Sequence, residues 1–376
     1  MSHSTRYPPV IVLLGGPSAE HDVSIVSGSA IAEALAAAGL QVRQVVIDLD
    51  GRWWWLPPDH RRGDLQAAAF DDPATLGAEG PLAVGAALDR LAGEQPPPVV
   101  FVALHGPFGE DGTVQALLEA AGLAYTGAGV LASALGMDKV AQKRIWRGLG
   151  LPVIDWHEVR GASWAANRAA VLGGLEAFAA GSRGSDPRLM VKPARLGSSV
   201  GMTLAHTAGE RAAALDLAFR YDDLAIVEHY LERARDLEVS VIGTEAPLGV
   251  YGPGEIVAGH EFYDYAAKYT PGLSETSTRA EVPAATGELM RKLARDAYRA
   301  LGTEGFARID FLVRDDEIYL SEINTIPGFT PISLFPTMPA EAGLDFTAVC
   351  LRIVDLALER HAGRARHRLT PGDLPR

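Results

Sequence analysis

The first third of the chain alternates short β-branched apolar runs with apolar residues at helical spacing, and that alternation limits it to few architectures. PPVIVLL (8–14) reads as a buried strand that stops at Gly15-Gly16. Val23, Val26, Ala30 and Ala34 then recur at helical spacing, predicting a helix over about 22–38 with Gly39 as its C-terminal cap. QVRQVVID (41–48) and PVVFVAL (98–104) read as further strands, and TVQALLEAAG (113–122) as a further helix. Such alternation predicts a parallel α/β sheet. Residues 51–98, spotted with Pro and Gly and carrying Trp53-Trp54-Trp55, read as a hairpin and helical excursion of the same domain.

Beyond this unit the pattern changes. A helix is predicted over about 138–148, then strands RLMVKPA (188–194) and LAIVEHYL (224–231), with a helix and a loose loop across 161–187. From residue 232 strands recur at short spacing: DLEVSVIG, APLGVYG, FARIDFLV and EIYLSEIN. A last helix is predicted near 344–361, followed by a partly disordered tail. There is no internal repeat. At 376 residues the chain exceeds one ordinary core, so two or three domains are expected.

Charge and cysteine content narrow the function. Acidic residues outnumber basic ones, 47 to 34, which argues against a nucleic-acid-binding surface but not against a local basic pocket for phosphates. The single cysteine, Cys350, excludes internal disulfides and Cys-rich metal sites and fits a reducing compartment. Val10–Leu14 is shorter than a signal-peptide core, and no apolar run approaches about 18 residues, so the chain reads as cytoplasmic and not membrane-bound.

FARIDFLV (306–313) and EIYLSEIN (317–324) read as two strands joined at Arg314-Asp315-Asp316. Side chains alternate faces along a strand, so Arg308 and Asp310 share one face, and Glu322 and Asn324 share one face of the partner. With a three-residue connection, Asp310 is expected opposite Glu322 and Arg308 opposite Asn324. Hard oxygen ligands with room for water and phosphate oxygens suit Mg²⁺ held with a nucleotide. The alternative is a solvated edge hairpin with an Arg–Asp pair.

The loop NTIPGFTPIS (324–333) offers backbone N–H groups to an oxyanion or carboxylate, or is an ordinary strand exit. In VKPARLGSSVGM (191–202), Lys192 ends a strand before a Gly/Ser loop, a pattern that cradles phosphate. It matches neither GxxxxGK[ST] nor GxGxxG, so P-loop and dinucleotide folds are unsupported. GGPSAEHDVS (15–24) sets Glu20 at a helix start, where it either complements the helix dipole or receives a substrate ammonium. LHGPFGEDG (104–112) sets His105 at a strand's carboxyl end, where α/β ligand sites lie and where a lone histidine is more often structural. EFYDYAAKYTPG (261–272) suits a loop closing over a site with Lys268 and Tyr269 inward, or a surface helix carrying tyrosines.

Taken together and in order, GGPSAEHDVS, LHGPFGEDG, GMDKVAQK, VKPARLGSSVG, YDYAAKYTPG, ARIDF and EINTIPGFTPISLFP resemble the D-alanine–D-alanine ligases of the ATP-grasp superfamily, from about residue 10 to 360. The resemblance implies an α/β chain, α+β in its ATP-grasp part. A Rossmann-like N-terminal parallel sheet domain (1–127) would precede central (128–228) and C-terminal (229–362) ATP-grasp subdomains and a tail (363–376). It implies ATP-dependent joining of two D-alanines through a D-alanyl phosphate, for peptidoglycan precursor synthesis, by a homodimer.

The resemblance also implies residue roles. Glu20 would hold the first D-alanine's ammonium, hydrogen-bonded with Ser198 and Tyr269, and His105 would lie beside that site. Lys139 and Lys192 would contact ATP phosphates, and Lys268 the transferred phosphate. Glu228 and Asp236 would flank the adenosine, the latter standing where family members often carry glutamate. His229 stands where some relatives have lysine. Asp310, Glu322 and Asn324 would bind two Mg²⁺ ions, with Mn²⁺ as a substitute. Arg308 and the Gly328 N–H would stabilise the tetrahedral intermediate, and Ser333 and Leu334 would meet the second substrate's carboxylate. The alternatives are a D-Ala–D-lactate or D-Ala–D-Ser ligase, from the first of which Tyr269 points away, and another ATP-grasp carboxylate–amine ligase. A non-catalytic nucleotide binder would be expected to lack one of the three metal ligands, and all are present.

Overall fold

A computed structural model describes residues 7–181, 187–244, 246–258, 274–315 and 317–367. The fully buried run Val10–Gly15 becomes β1, and the predicted helix follows as His21–Ala37. Gly39 closes that helix in the left-handed region (φ +87°), donating to the Ala36 carbonyl. With β2 (Val42–Ile47), β3 (Trp53–Trp55), β4 (Glu79–Leu82), β5 (Val99–Val102) and β6 (Ala124–Tyr125), β1 forms a sheet ordered β4-β3-β2-β1-β5-β6. The β2-β1-β5-β6 portion is parallel, as the alternation requires, and β3 and β4 extend it antiparallel.

That extension is the hairpin expected within 51–98, and it settles where the tryptophans go. Trp53 and Trp55 are 0% exposed on one face, in a core shared with Ala87 and Leu91 of the helix Val84–Ala92. Trp54 takes the other face and donates its indole N–H to Asp48.

A second sheet contains β7 (Trp156–Arg160), β8 (Leu189–Pro193), β9 (Thr203–Ala205) and β10 (Leu224–His229), antiparallel in the order β7-β10-β8-β9. Helices Arg168–Ala180 and Ala208–Ala218 cover it through Leu175, Ala214 and Leu215. The third sheet contains β11 (Arg235–Ile242), β12 (Gly249–Ala258), β13 (Ser274–Ser277), β14 (Phe306–Arg314) and β15 (Glu317–Asn324), ordered β13-β12-β11-β14-β15. Helix Ala284–Ala300 seals one face of it. The final helix, Phe346–Arg364, does not stay with this last sheet: Val349, Ile353 and Val354 join the core of Val10, Val12 and Ile25.

The β14–β15 pair forms with the expected partners, but by another route. Arg314 pairs with Glu317, so two residues, not three, separate the strands. A plain ladder from that pair would set Asp310 opposite Ser321, and a three-residue connection would set it opposite Leu320. Instead the register shifts between Asp310 and Phe311, giving Asp310↔Glu322 and Arg308↔Asn324. The extra residue is a β-bulge, which leaves two residues against one and changes which face the strand presents. Ile318 and Leu320 face the helix-covered core, and after the bulge so does Ile323, freeing Glu322 and Asn324 for the other face.

Candidate active site

The open face of the third sheet and the second sheet enclose a cleft lined by Lys139, Lys192, Glu228, Asp236, Arg308 and Glu322, among others. Its floor is a row of acids on three neighbouring strands. Glu238 of β11 pairs with Asp310, which pairs with Glu322. Arg308, two residues along β14 from Asp310, donates Nε to Asp310 Oδ1 at 2.7 Å and Nη2 to Oδ2 at 2.8 Å, with Glu238 Oε1 3.2 Å from Nε. Asn324 donates to Asp310 Oδ2 at 2.9 Å. The carboxylates of Asp310, Glu238 and Glu322 outweigh burial and raise the Arg308 guanidinium well above its ordinary range, so it is a permanent cation here.

Lys139 reaches the floor from the opposite wall. Asp138 caps the helix Lys139–Gly148, accepting from Val140 and Ala141 N–H. The Lys139 Nζ then lies 2.9 Å from Glu322 Oε2 and donates to the Leu196 carbonyl. One turn on, Lys143 Nζ is 2.6 Å from Glu228 Oε1, while Lys192 Nζ is 2.7 Å from Glu228 Oε2. Burial favours an uncharged Glu228, but Lys143 and Lys192 outweigh it and hold the carboxyl down at about 2. Burial also lowers Lys143, whereas for Lys192 the charges of Glu228, Glu322 and Asp236 outweigh burial and raise it.

The donor set bears on a divalent ion. Among the described residues no three His, Cys, Asp or Glu side chains converge as a metal cage. Asp310, Glu322 and the amide of Asn324 instead supply a partial set of hard oxygens on one sheet face, flanked by Arg308 and Lys139. An open, oxygen-rich set of this kind fits Mg²⁺ completed by nucleotide phosphates and water better than a closed all-protein site.

At the far end the site draws on loops. Glu20 accepts a short hydrogen bond from the Ser198 hydroxyl, joining the first sheet's domain to the 194–202 loop. Its carboxylate is so closely packed that a Cβ on Gly106 would sit 2.5 Å from Oε2 and one on Gly197 2.8 Å from it. A side chain at either position would displace the Glu20 carboxylate, and Gly106 also holds φ of +76°. Ser198 and Ser199 hold φ of +51° and +57°, a left-handed region that costs non-glycine residues about 1–3 kcal/mol when imposed.

His105 is a strut of this end. Its Nδ1 lies 2.8 Å from the Ile326 carbonyl, which only accepts, so Nδ1 carries the proton and Nε2 accepts from the Ser27 hydroxyl at 3.0 Å. With both ring nitrogens engaged, His105 positions the 324–333 loop. Glu110 holds the same loop by accepting from Ile326 N–H at 3.0 Å; burial, then the charge of Glu20, pushes its carboxyl well above the usual range. Phe329, next to Gly328, packs among Phe101, Phe306, Phe335 and Phe346, which fixes the loop backbone. Ser333 caps this loop by bonding Thr330 N–H and Oγ1, and Leu334 is buried against Ile256 and Met338.

The structure thus brings together Glu20 with Ser198, Lys139 with Glu322, Lys192 with Glu228, and Arg308, Asp310, Glu322 and Asn324; Asp236 lines the same cleft. Lys268 and Tyr269 lie outside the described residues. His229 lines the cleft and its ring stacks on Phe178, ring centroids 4.0 Å apart. Lys143, Glu238 and Glu110 are additions to the sequence-derived set. Lys143 is signalled by its i, i+4 spacing from Lys139, Glu110 by its place in LHGPFGEDG, and Glu238 only by the pairing of β11 with β14.

Comparison with known proteins gives a consistent picture. The family model described as D-ala D-ala ligase N-terminus matches residues 9–128, and that described as D-ala D-ala ligase C-terminus matches 145–355. D-alanine–D-alanine ligases of Chlorobaculum tepidum and Deinococcus radiodurans are each 38% identical, covering 94% and 93% of this chain and 97% and 98% of their own. Two solved structures superpose with TM-scores of 0.79: the D-alanine-D-alanine ligase from Coxiella burnetii (31% identity, 95% of this chain, 97% of that one) and the VanG D-Ala:D-Ser ligase from Enterococcus faecalis (29%, 93%, 99%).

Proposed function

This chain belongs to the D-alanine–D-alanine ligase family and carries out ATP-dependent joining of two D-alanines, and we propose that it does so through a D-alanyl phosphate formed in the cleft between its second and third sheets. The observation that carries the assignment of roles is the Asp310–Glu322 pair beside Arg308 and Asn324, facing Lys139 and Lys192 across one cleft.

The first D-alanine's ammonium pairs with Glu20, whose orientation Ser198 holds, with Tyr269 completing the set. Its carboxylate oxygen attacks the γ-phosphorus of ATP, the bond to the β–γ bridging oxygen breaks, and ADP departs. Lys139, Lys192 and Lys268 meet the phosphates; Glu228 and Asp236 flank the adenosine. ATP implies Mg²⁺, which withdraws charge from the phosphates. Asp310, Glu322 and Asn324 are the residues to hold it, as two ions, with Mn²⁺ as a substitute. The second amine, deprotonated, attacks the carbonyl carbon, and phosphate leaves from the tetrahedral intermediate. Arg308 and the Gly328 N–H receive the oxyanion, where one lost donor typically costs about 10²–10³ in rate. His105 steadies this loop, and Ser333 and Leu334 meet the second carboxylate. Peptidoglycan precursor synthesis is the process that consumes such a dipeptide.

The remaining assignments are proposals of the same standing. We divide the chain into domains 1–127, 128–228 and 229–362 before a 363–376 tail; the helix Phe346–Arg364 runs two residues past the last boundary and packs on the first domain. We assign a cytoplasmic homodimer; no described helix is long and apolar enough to cross a membrane. The test is ADP release with ATP and Mg²⁺ on D-alanine, on L-alanine, and on D-alanine with D-lactate or D-serine, with products identified by mass. Dipeptide formation dependent on D-alanine, and lost by about 10³-fold or more in Glu322→Ala, is expected. Full turnover by Glu322→Ala would remove the metal assignment, and preference for D-serine would move the specificity.

A further inference from the structure

Helix Lys139–Gly148 carries a lysine that the reaction above does not use. Lys143 lies on the same helix face as Lys139, its side chain 2% exposed, directed at a carboxylate whose side chain is 4% exposed. Glu228 divides its two oxygens between two ammoniums, Oε1 to Lys143 and Oε2 to Lys192. The two lysines are not equivalent. Lys192 lines the cleft at 12% side-chain exposure, as a diagonal neighbour of Glu228 across the β8–β10 pair. Lys143 approaches the same carboxylate from the helix behind it.

A phosphate group entering the cleft must compete with Glu228 for Lys192. If Lys192 turned to phosphate and nothing else neutralised Glu228, an unpaired carboxylate would remain in a nearly water-free site, which is strongly unfavourable. Lys143 supplies that neutralisation without moving. Because its charge already satisfies one oxygen of Glu228, the hold on Lys192 is shared and weaker than that of a single buried pair.

We propose that Lys143 is a positioning residue for nucleotide binding: it neutralises Glu228 from behind, so that Lys192 is released to the phosphates. The inference rests on the reading that Lys192 contacts ATP phosphates. Without Lys143, the undivided charge of Glu228 keeps Lys192, and nucleotide affinity falls although no residue lining the cleft has changed.

The experiment is equilibrium titration of the full chain with Mg²⁺ and a non-hydrolysable ATP analogue, together with KM for D-alanine. Lys143→Met is expected to weaken analogue binding by at least about tenfold while KM for D-alanine stays within about twofold. Lys143→Arg, which keeps the charge, restores most of the affinity. The decisive comparison adds Glu228→Gln to Lys143→Met: with no carboxylate to neutralise, the double variant should bind the analogue within about threefold of Glu228→Gln alone. That comparison stands even where Lys143→Met alone does not fold. Unchanged binding in Lys143→Met, or a double variant in which the two losses simply add, overturns the proposal and reduces Lys143 to packing. Lys192→Met separates the two readings. If it binds the analogue normally, the phosphate role of Lys192 fails; if it binds weakly while Lys143→Met binds normally, only the inference about Lys143 fails.

Discussion

On the floor of the cleft, Glu238, Asp310 and Glu322 stand on one rung of three adjacent strands, and Arg308 and Asn324 on the next. At the far end, Glu20 comes from a strand-to-helix turn, Ser198 from a loop of the second sheet, and Gly328 from the loop after β15, with one short hydrogen bond joining the first two. The floor needs only strand register to set the spacing of its charges. The far end depends on packing between separate cores, which is where His105, Glu110 and the Phe329 cluster are spent. In the proposed mechanism the sheet rungs hold the groups that share phosphates and a metal at fixed separations, and loops from several units hold those that recognise a small amino acid.

If that contrast is right, damage to register should be far more costly than damage to a recognition contact. The largest effect is expected from insertion of one alanine between Leu320 and Ser321, which sets Glu322 opposite Ile309 if the bulge persists and opposite Arg308 if the ladder becomes plain, in either case away from Asp310. D-alanine-dependent ADP release should fall by about 10³-fold or more, with a lowered melting temperature. Retained turnover would show that the strand end can re-register. An intermediate effect is expected from Glu20→Gln. Loss of one charge-assisted contact to an ammonium, about 1.5–3 kcal/mol, raises KM for the first D-alanine by roughly 10–100-fold and leaves nucleotide affinity unchanged. A fall in nucleotide affinity instead would mean that the far end and the floor are one coupled unit. The smallest is expected from His229→Lys, since that side chain lies on Phe178. Nucleotide affinity should stay within about twofold, with stability lowered by about 1 kcal/mol from the lost ring contact. A marked affinity change would mean that the side chain at this position reaches the nucleotide.

Much of the floor could be read before any coordinates. Period-two alternation alone puts Arg308 with Asp310 and Glu322 with Asn324, because faces along a strand are set by neighbours in the chain. The bulge is written there as well: the core residues of β15 are Ile318, Leu320 and Ile323, a spacing of two followed by three, and it is this break that turns Glu322 outward. The expected connection length missed it. Glu238 was beyond reach, since nothing local says that β11 lies beside β14. The tryptophans were likewise ambiguous until the helix Val84–Ala92 closed over two of them and left Trp54 on the opposite face.

The sequence by itself determined the elements, their faces and the inventory of acids, lysines and glycine-rich loops. Those follow from backbone sterics and the periodicity of nearby residues. Only the tertiary structure decided which charges meet: Lys143 and Lys192 on the two oxygens of Glu228, Lys139 on Glu322, Glu20 in the gap that Gly106 and Gly197 leave open. Apart from Lys192 and Glu228, neighbours across β8 and β10, these contacts join separately packed elements, and their partners are fixed by how those elements pack, a property of apolar surfaces far apart in the chain.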